Sequence, residues 1–194
     1  MKEFNPNLRP GFLEVFCGPM KSGKSLELIH RVNKLKYMND SKYLFFKPKL
    51  DTRDNTIRSR YGVQESCIIV ENSNDILGFV KDEKLVAIDE AQFFDDNLLD
   101  VIKELLNKNI NVVVAGLDLD FRGEPFGPMP SILSFANKVR KLNAICDFEG
   151  CNNIGRYTQR YIDGKPAHYD SPTILVGGDD KYEVRCRIHH EVLK

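Results

Sequence analysis

The sequence predicts an α/β fold, a mainly parallel sheet flanked by helices, with a small β-rich lobe at the C-terminal end. Three observations predict it. Apolar runs of strand length alternate with segments of helical spacing from Phe12 to Leu142. A glycine-rich loop falls between the first such run and the first such segment. From about residue 143 the chain turns rich in Cys, Gly, Tyr, Asp and His, and no convincing helical spacing appears.

Phe12-Leu-Glu-Val-Phe-Cys17 reads as the first strand. Leu26 to Tyr37 reads as a helix, with Leu28, Ile29, Val32 and Leu35 on one face. Lys42-Tyr-Leu-Phe-Phe46 is a second strand, ended by Pro48. Residues 49–66 are polar and aperiodic, too long for an ordinary connector, so a functional or mobile loop is expected. Cys67-Ile-Ile-Val70 is a short strand, and Ser73 is placed to cap a helix from Asn74 to Val80. Lys84-Leu-Val-Ala-Ile88 is a buried strand. Asp95 is placed to cap a helix with Leu98, Val101, Ile102, Leu105 and Leu106 on one face. Asn111-Val-Val-Val-Ala115 is the next strand. Gly116 and residues 117–130 together hold three prolines and three glycines, which predicts a structured loop. Ser131 to Phe135 reads as a short helix and Val139 to Leu142 as a last core strand. The expected division is a nucleotide-binding domain over 1–142 and a lobe over 143–194.

The loop itself reads Gly18-Pro-Met-Lys-Ser-Gly-Lys-Ser25 and fits Gly-x4-Gly-Lys-Ser, the phosphate-binding P-loop. A position between strand and helix is the context the motif needs. Gly18 and Gly23 let the backbone curl so that its N–H groups face one anion, and the helix N-terminus adds partial positive charge. Lys24 can reach the β- and γ-phosphates, and the Ser25 hydroxyl can ligate Mg²⁺. Gly18, Pro19, Met20, Lys21, Ser22, Gly23, Lys24 and Ser25 are therefore the candidate ATP-binding residues of a P-loop (RecA-like) sheet. The bland alternative is a glycine turn before an amphipathic helix. It leaves the Lys-Ser pair without a reason.

A P-loop needs a carboxylate at the end of a nearby strand. Leu85-Val-Ala-Ile-Asp89-Glu90 supplies two. Asp89 is the candidate on the metal side. Glu90 is the candidate general base, because an acceptor of a phosphoryl group must lose a proton. Alone, the two acids would read equally well as a solvated turn.

The 194 residues suffice for one α/β domain and a small satellite. The 28 basic and 28 acidic residues cancel, which argues against a dedicated nucleic-acid binder. No run approaches the roughly 20 apolar residues of a membrane span. Met1-Lys-Glu-Phe-Asn-Pro lacks the apolar core of a signal peptide, so a cytoplasmic location is expected, where structural disulfides are rare. Five cysteines then need another explanation. Cys17 and Cys67 lie in apolar runs and read as buried spectators. Cys146-Asp-Phe-Glu-Gly-Cys151 and Cys186-Arg-Ile-His189 have spacings within the range of tetrahedral zinc. Glu149-Gly150 gives the turn the longer knuckle needs. Three thiolates and one imidazole make a closed, structural site, with His190 as the rival fourth ligand. The alternative is a set of unligated thiols in a disordered tail. His30 reads as a surface helix residue and His168 as a loop residue.

Longer strings carry a resemblance. The P-loop, Lys47-Pro-Lys-Leu-Asp-Thr-Arg53, Ile88-Asp-Glu-Ala-Gln-Phe-Phe94, Gly116-Leu-Asp-x-x-Phe121, Glu124-Pro-Phe-Gly127 and Val176-Gly-Gly-x-x-Lys-Tyr182 occur in this order. Together they resemble the thymidine kinases of the zinc-containing type, the family of the human cytosolic enzyme and most bacterial ones. The likeness runs from about Gly11 to His190. It implies transfer of the γ-phosphoryl of ATP to the 5′-hydroxyl of thymidine, with Mg²⁺, in nucleotide salvage. It assigns Glu90 as base and Lys24 and Ser25 as phosphate and metal ligands. Asp51 is implied as a second carboxylate near Mg²⁺, Arg53 as an arginine near the phosphates, and Arg60 as a weaker candidate. From spacing alone, Asp51 and Arg53 read as an exposed turn with an ion pair. The nucleoside pocket is implied at Met20, Phe93, Leu117, Phe121, Thr158 and Tyr182, with Gln92 at its edge. Taken singly, Phe93, Leu117 and Phe121 would read as core. Backbone groups of a loop over about Tyr161 to Gly178 are implied to read the thymine edge, with Leu175, Val176 and Gly177 at the contacting positions. This substrate lasso is expected to close over the nucleoside.

The family's usual first zinc pair is Cys-x2-Cys, and this chain departs from it at Cys146 and Cys151. The chain ends four residues after His190, so no C-terminal regulatory tail is expected. A homotetramer and feedback inhibition by thymidine triphosphate are further implications. The rival reading is a zinc-bearing P-loop ATPase that works on nucleic acid or protein, with Glu90 activating water. The neutral charge and the lack of a basic, aromatic-interleaved strip count against it. A third possibility, a dead kinase that serves as a binding protein, is opposed by the presence of Lys24, Asp89 and Glu90.

Overall fold

The computed structural model describes residues 10–34, 42–50, 56–58, 62, 64–174 and 181–194. Among them, six strands form a wholly parallel central sheet: β1 (Leu13–Cys17), β2 (Tyr43–Pro48), β5 (Ile68–Val70), β6 (Leu85–Ile88), β7 (Asn111–Gly116) and β8 (Lys138–Lys141). Their order is β5-β2-β6-β7-β1-β8. β7 therefore separates the P-loop strand β1 from the acid-bearing strand β6. Val15 pairs with Val114 on one side and Val139 on the other. Both faces of β1 are buried, as continuous apolar runs in parallel strands require.

Alternation along the strands builds two cores. Phe16, Ala87, Val113 and Ala115 point to one face, where they pack on Leu28, Ile29 and Val32 of α1 (Lys24–Asn33). Val15, Val86, Ile88, Val112 and Val114 point to the other. There they meet α2 (Asp75–Phe79), α3 (Leu98–Asn107) and α4 (Met129–Phe135) through Ile76, Leu98, Ile102, Leu105, Met129 and Ile132. Glu14 is a buried acid within β1; Arg31 of α1 and Lys138 of β8 satisfy it at 3.0 and 3.2 Å.

The six expected strands and four expected helices are all present, with differences at their ends, but the last strand, expected in the core, is the largely exposed edge strand β8. The first helix is described to Asn33, and residues 35–41 lie outside the described set. Of the two expected capping side chains, Asp95 does serve the entry to α3, where its Oδ1 accepts the Asn97 N–H at 3.0 Å, whereas Ser73 caps no helix. The Ser73 hydroxyl and N–H both donate to the same Asp95 carboxylate, at 2.6 and 2.8 Å. A side chain 22 positions away thus takes Ser73 from its local cap. The aperiodic stretch after Pro48 holds a two-stranded antiparallel ribbon, β3 (Thr56–Arg58) with β4 (Gln64–Ser66), and Ile57 is buried against the α1 core. Three-residue strands are too short to show a period.

Beyond β8 the strands are antiparallel. β9 (Ala144–Ile145) pairs with β10 (Ile154–Gly155). β11 (Tyr157–Ile162) pairs with β12 (Lys165–Pro166) on one side and β13 (Lys181–Arg185) on the other. Among the described residues, no helix is long and apolar enough to cross a membrane.

Candidate active site and metal centre

The P-loop leaves β1 at Gly18 (φ 146°), turns through Lys21 (φ 60°) and Gly23 (φ 85°), and enters α1 at Lys24. No side chain caps α1, so its first N–H groups are available to an anion. The Ser22 hydroxyl and Lys24 Nζ both donate to the Pro19 carbonyl at 2.8 Å, which tightens the loop. Lys24 is buried, and burial lowers its pKa; the carboxylates of Glu90, Asp89 and Asp118 work against that shift.

Asp89 follows the end of β6 and faces the P-loop. Its carboxylate accepts a hydrogen bond from the Ser25 hydroxyl. Burial and the neighbouring Glu90 push its pKa up to about 7, against the pull of Ser25, the Glu90 N–H and Lys24. A divalent cation would reverse this balance, since a nearby positive charge favours the ionised form. Glu90 adopts left-handed backbone, φ 52° and ψ 40°, so the two adjacent acids diverge. Glu90 Oε2 accepts from Gln92 Nε2 at 2.6 Å. Lys24, Ser25, Asp89 and Glu90 thus come together at the C-terminal edge of the sheet, where ligands of open α/β sheets bind.

The expected pocket residues fall into four sets of contacts. Met20 N–H donates to Thr158 Oγ1 at 3.1 Å, so the P-loop meets β11. The buried Arg160 guanidinium lies 5.4 Å from the Phe121 ring and 6.0 Å from the Tyr182 ring, which gathers those two. Gln92 is also buried, and its Oε1 accepts the Leu117 N–H at 2.8 Å. Phe93 stands edge-on to Phe126 at 5.6 Å. Arg160 escaped the sequence reading, and Phe126 enters it only inside the Glu124-Pro-Phe-Gly127 string, with no role given. A buried arginine in a strand and one more apolar residue in a loop carry no distinguishing pattern. Asp51, Arg53, Arg60, Leu175, Val176 and Gly177 lie outside the described residues.

The ligand atoms of Cys146, Cys151, Cys186 and His189 lie within 4.8 Å of one another. Tetrahedral zinc sets sulfur–nitrogen separations of roughly 3.6 Å. His189 Nδ1 stands 3.7 Å from Cys146 Sγ and 3.4 Å from Cys186 Sγ, so this donor set fits the ion. Desolvation opposes ionisation of Cys186, but the backbone N–H groups of His189 and Ile188, together with hydrogen bonds from Cys146 and Cys151, outweigh it and bring its pKa down to about 6. The thiolate, the metal-binding form, is thereby favoured. Phe148, in the long knuckle, stacks on the His189 ring at 3.9 Å. His190, the rival ligand, turns away: its ring stacks on Tyr157 and its Nε2 faces the Phe121 carbonyl at 2.8 Å. Cys17 is buried, as expected, and burial with Asp118 raises its pKa to about 11. Cys67 is half-buried rather than fully so.

Comparison with known proteins agrees with this geometry. The model of the family described as "Thymidine kinase" matches residues 11–190. A thymidine kinase of Coprothermobacter proteolyticus is 51% identical over 184 residues, 94% of this chain and 91% of that protein. One of Mycoplasmoides gallisepticum is 46% identical, covering 94% of this chain and 82% of its own. One of Onion yellows phytoplasma is 44% identical, covering 93% and 87%. With a matching P-loop, acid pair and Cys/His cluster in place, the chain belongs to the thymidine kinase family.

Proposed function

We infer that this enzyme transfers the γ-phosphoryl of ATP to the 5′-hydroxyl of thymidine, and of deoxyuridine, to give the 5′-monophosphate in nucleotide salvage. The observation that carries the reading is the meeting of Lys24 and Ser25 with Asp89 and Glu90 at one sheet edge, in a chain 51% identical to a thymidine kinase. Glu90 takes the proton of the 5′-hydroxyl. The oxygen so freed bonds to the γ-phosphorus as the bond to the β-phosphate oxygen breaks. Lys24 and Arg53 offset charge on the phosphoryl oxygens. Mg²⁺, when bound, neutralises phosphate charge, and Ser25, Asp89 and Asp51 are the residues to hold it. Met20, Phe93, Leu117, Phe121, Thr158 and Tyr182 enclose the nucleoside, and the loop containing Leu175, Val176 and Gly177 covers it.

Cys146, Cys151, Cys186 and His189 hold a structural Zn²⁺. Four protein ligands leave no open position, so the metal does no chemistry at the substrate. We further propose that the chain works as two units, 1–142 and 143–194. It acts in the cytoplasm as a homotetramer inhibited by thymidine triphosphate.

The test is phosphoryl transfer from γ-labelled ATP to a panel of nucleosides, with protein of known zinc content. Label should move to thymidine and deoxyuridine and not to deoxycytidine or purine nucleosides. Release of label only as inorganic phosphate, whatever nucleoside is present, would instead support a P-loop ATPase.

A further inference from the structure

Gln92 is hydrogen-bonded at both ends of its amide, to Glu90 and to Leu117. Its side chain is 1% exposed. The Leu117 backbone N–H can only donate, so Gln92 Oε1 must face it, at 2.8 Å. The amide hydrogens are then left for Glu90 Oε2, at 2.6 Å. Chemistry, not choice of fit, fixes the amide orientation. The surroundings are shaped to admit it. A Cβ at Gly116 would stand 2.9 Å from Gln92 Oε1, and one at Gly127 (φ 50°) would run into the Gln92 carbonyl. The short 3-10 turn over Ala91–Phe93 carries the side chain back towards Glu90.

We propose that Gln92 is the positioning residue for the general base: it holds the Glu90 carboxylate in place for proton abstraction and ties that placement to the pocket wall at Leu117. The proposal rests on Glu90 being the base. A glutamate side chain has several rotatable bonds, and a base must be aligned to within a fraction of an ångström of its proton. Gln92 commits one carboxylate oxygen, which leaves the other for the 5′-hydroxyl. Because the same amide also grips Leu117, the base and the nucleoside pocket share one rigid link. Gln92 and Leu117 are 25 positions apart in the chain, so this link is built by tertiary contact alone.

The experiment compares Gln92→Met, Gln92→Glu and Glu90→Gln, alone and combined, in the full chain. Gln92→Met keeps the side-chain length and removes both hydrogen bonds. It should lower kcat about 10- to 100-fold, with the dissociation constant for thymidine and the KM for ATP within about twofold. In the Glu90→Gln background it should lower kcat by less than about twofold more, because the two act as one unit. Gln92→Glu keeps an acceptor for Leu117 and decides the matter where Gln92→Met fails to fold. Two carboxylates in such contact cannot both ionise, so kcat should again fall at least about tenfold. Full kcat in either Gln92 variant, or a Gln92→Met loss repeated in full beside Glu90→Gln, overturns the proposal. Near-wild-type kcat in Glu90→Gln alone would remove the base reading itself, and the proposal with it.

Discussion

All five residues of β1 are buried, whereas in β9 and β10 Ile145 and Ile154 are exposed and only Gly155 is fully covered. β1 lies between two apolar cores and is held by area removed from water, which many side chains supply together. β9 and β10 are two residues long and expose two isoleucines at 60% and 58%. What fixes their neighbourhood is a few particular atoms: the Cys/His cluster, the Phe148–His189 stack, and an Asp147–Lys21 ion pair at 2.6 Å. The sheet should therefore tolerate volume-conserving changes, and the C-terminal region should fail at single atoms.

The largest expected effect tests whether chemistry belongs to the sheet. Glu90→Gln should cut kcat about 10²–10⁴-fold while nucleoside affinity is nearly kept. Steady-state kinetics with thymidine calorimetry would check this; turnover close to wild type would take Glu90 out of the base role. A smaller effect tests the C-terminal region. Cys151→Ser should release zinc, read by elemental analysis, and weaken thymidine binding by about tenfold. ATP binding should weaken less, because among the described residues the P-loop meets this region through two polar contacts, Met20–Thr158 and Lys21–Asp147. Undiminished zinc in that variant would remove Cys151 from the ligand set. The smallest effect is a pH slope that belongs to the sheet edge. Asp89 has its pKa raised from 3.8 to about 7, so between those values the folded chain keeps a proton that the unfolded chain has lost. Its contribution is fully present below about 4 and is lost as pH rises through about 7. Melting curves of the ligand-free protein should show this fall, and Asp89→Asn should flatten it. Parallel curves for the two proteins would refute the raised pKa.

The same contrast explains what could be read from the sequence. Parallel strands buried on both faces are unbroken apolar runs, so Leu85 to Ile88 and Asn111 to Ala115 announced themselves. The P-loop and Asp89–Glu90 were legible because their chemistry requires fixed spacing. Contacts between distant polar atoms were not. Ser73 looks like a local cap and instead bonds to Asp95, which also accepts the Asn97 N–H at the entry to α3. Spacing favours His189 with His190 as its rival, and the fold agrees by turning the His190 ring onto Tyr157. Gln92 looked like a residue at the pocket edge, and its partner Leu117 lies on another strand end.

With Glu90 as the proposed base, its left-handed backbone sets this enzyme's function against its durability. A non-glycine residue in that conformation costs about 1–2 kcal/mol. Its carboxylate also raises the cost of the buried charge on Asp89. Glycine or asparagine would relieve both burdens, and in a chain of this size each kcal/mol moves the melting temperature by about 2–4 °C. Laboratory evolution for heat resistance without a screen for turnover would be drawn to this position. The hardiest descendants would be inert, so any thermostabilised line of this protein must be selected with thymidine phosphorylation as a condition of survival.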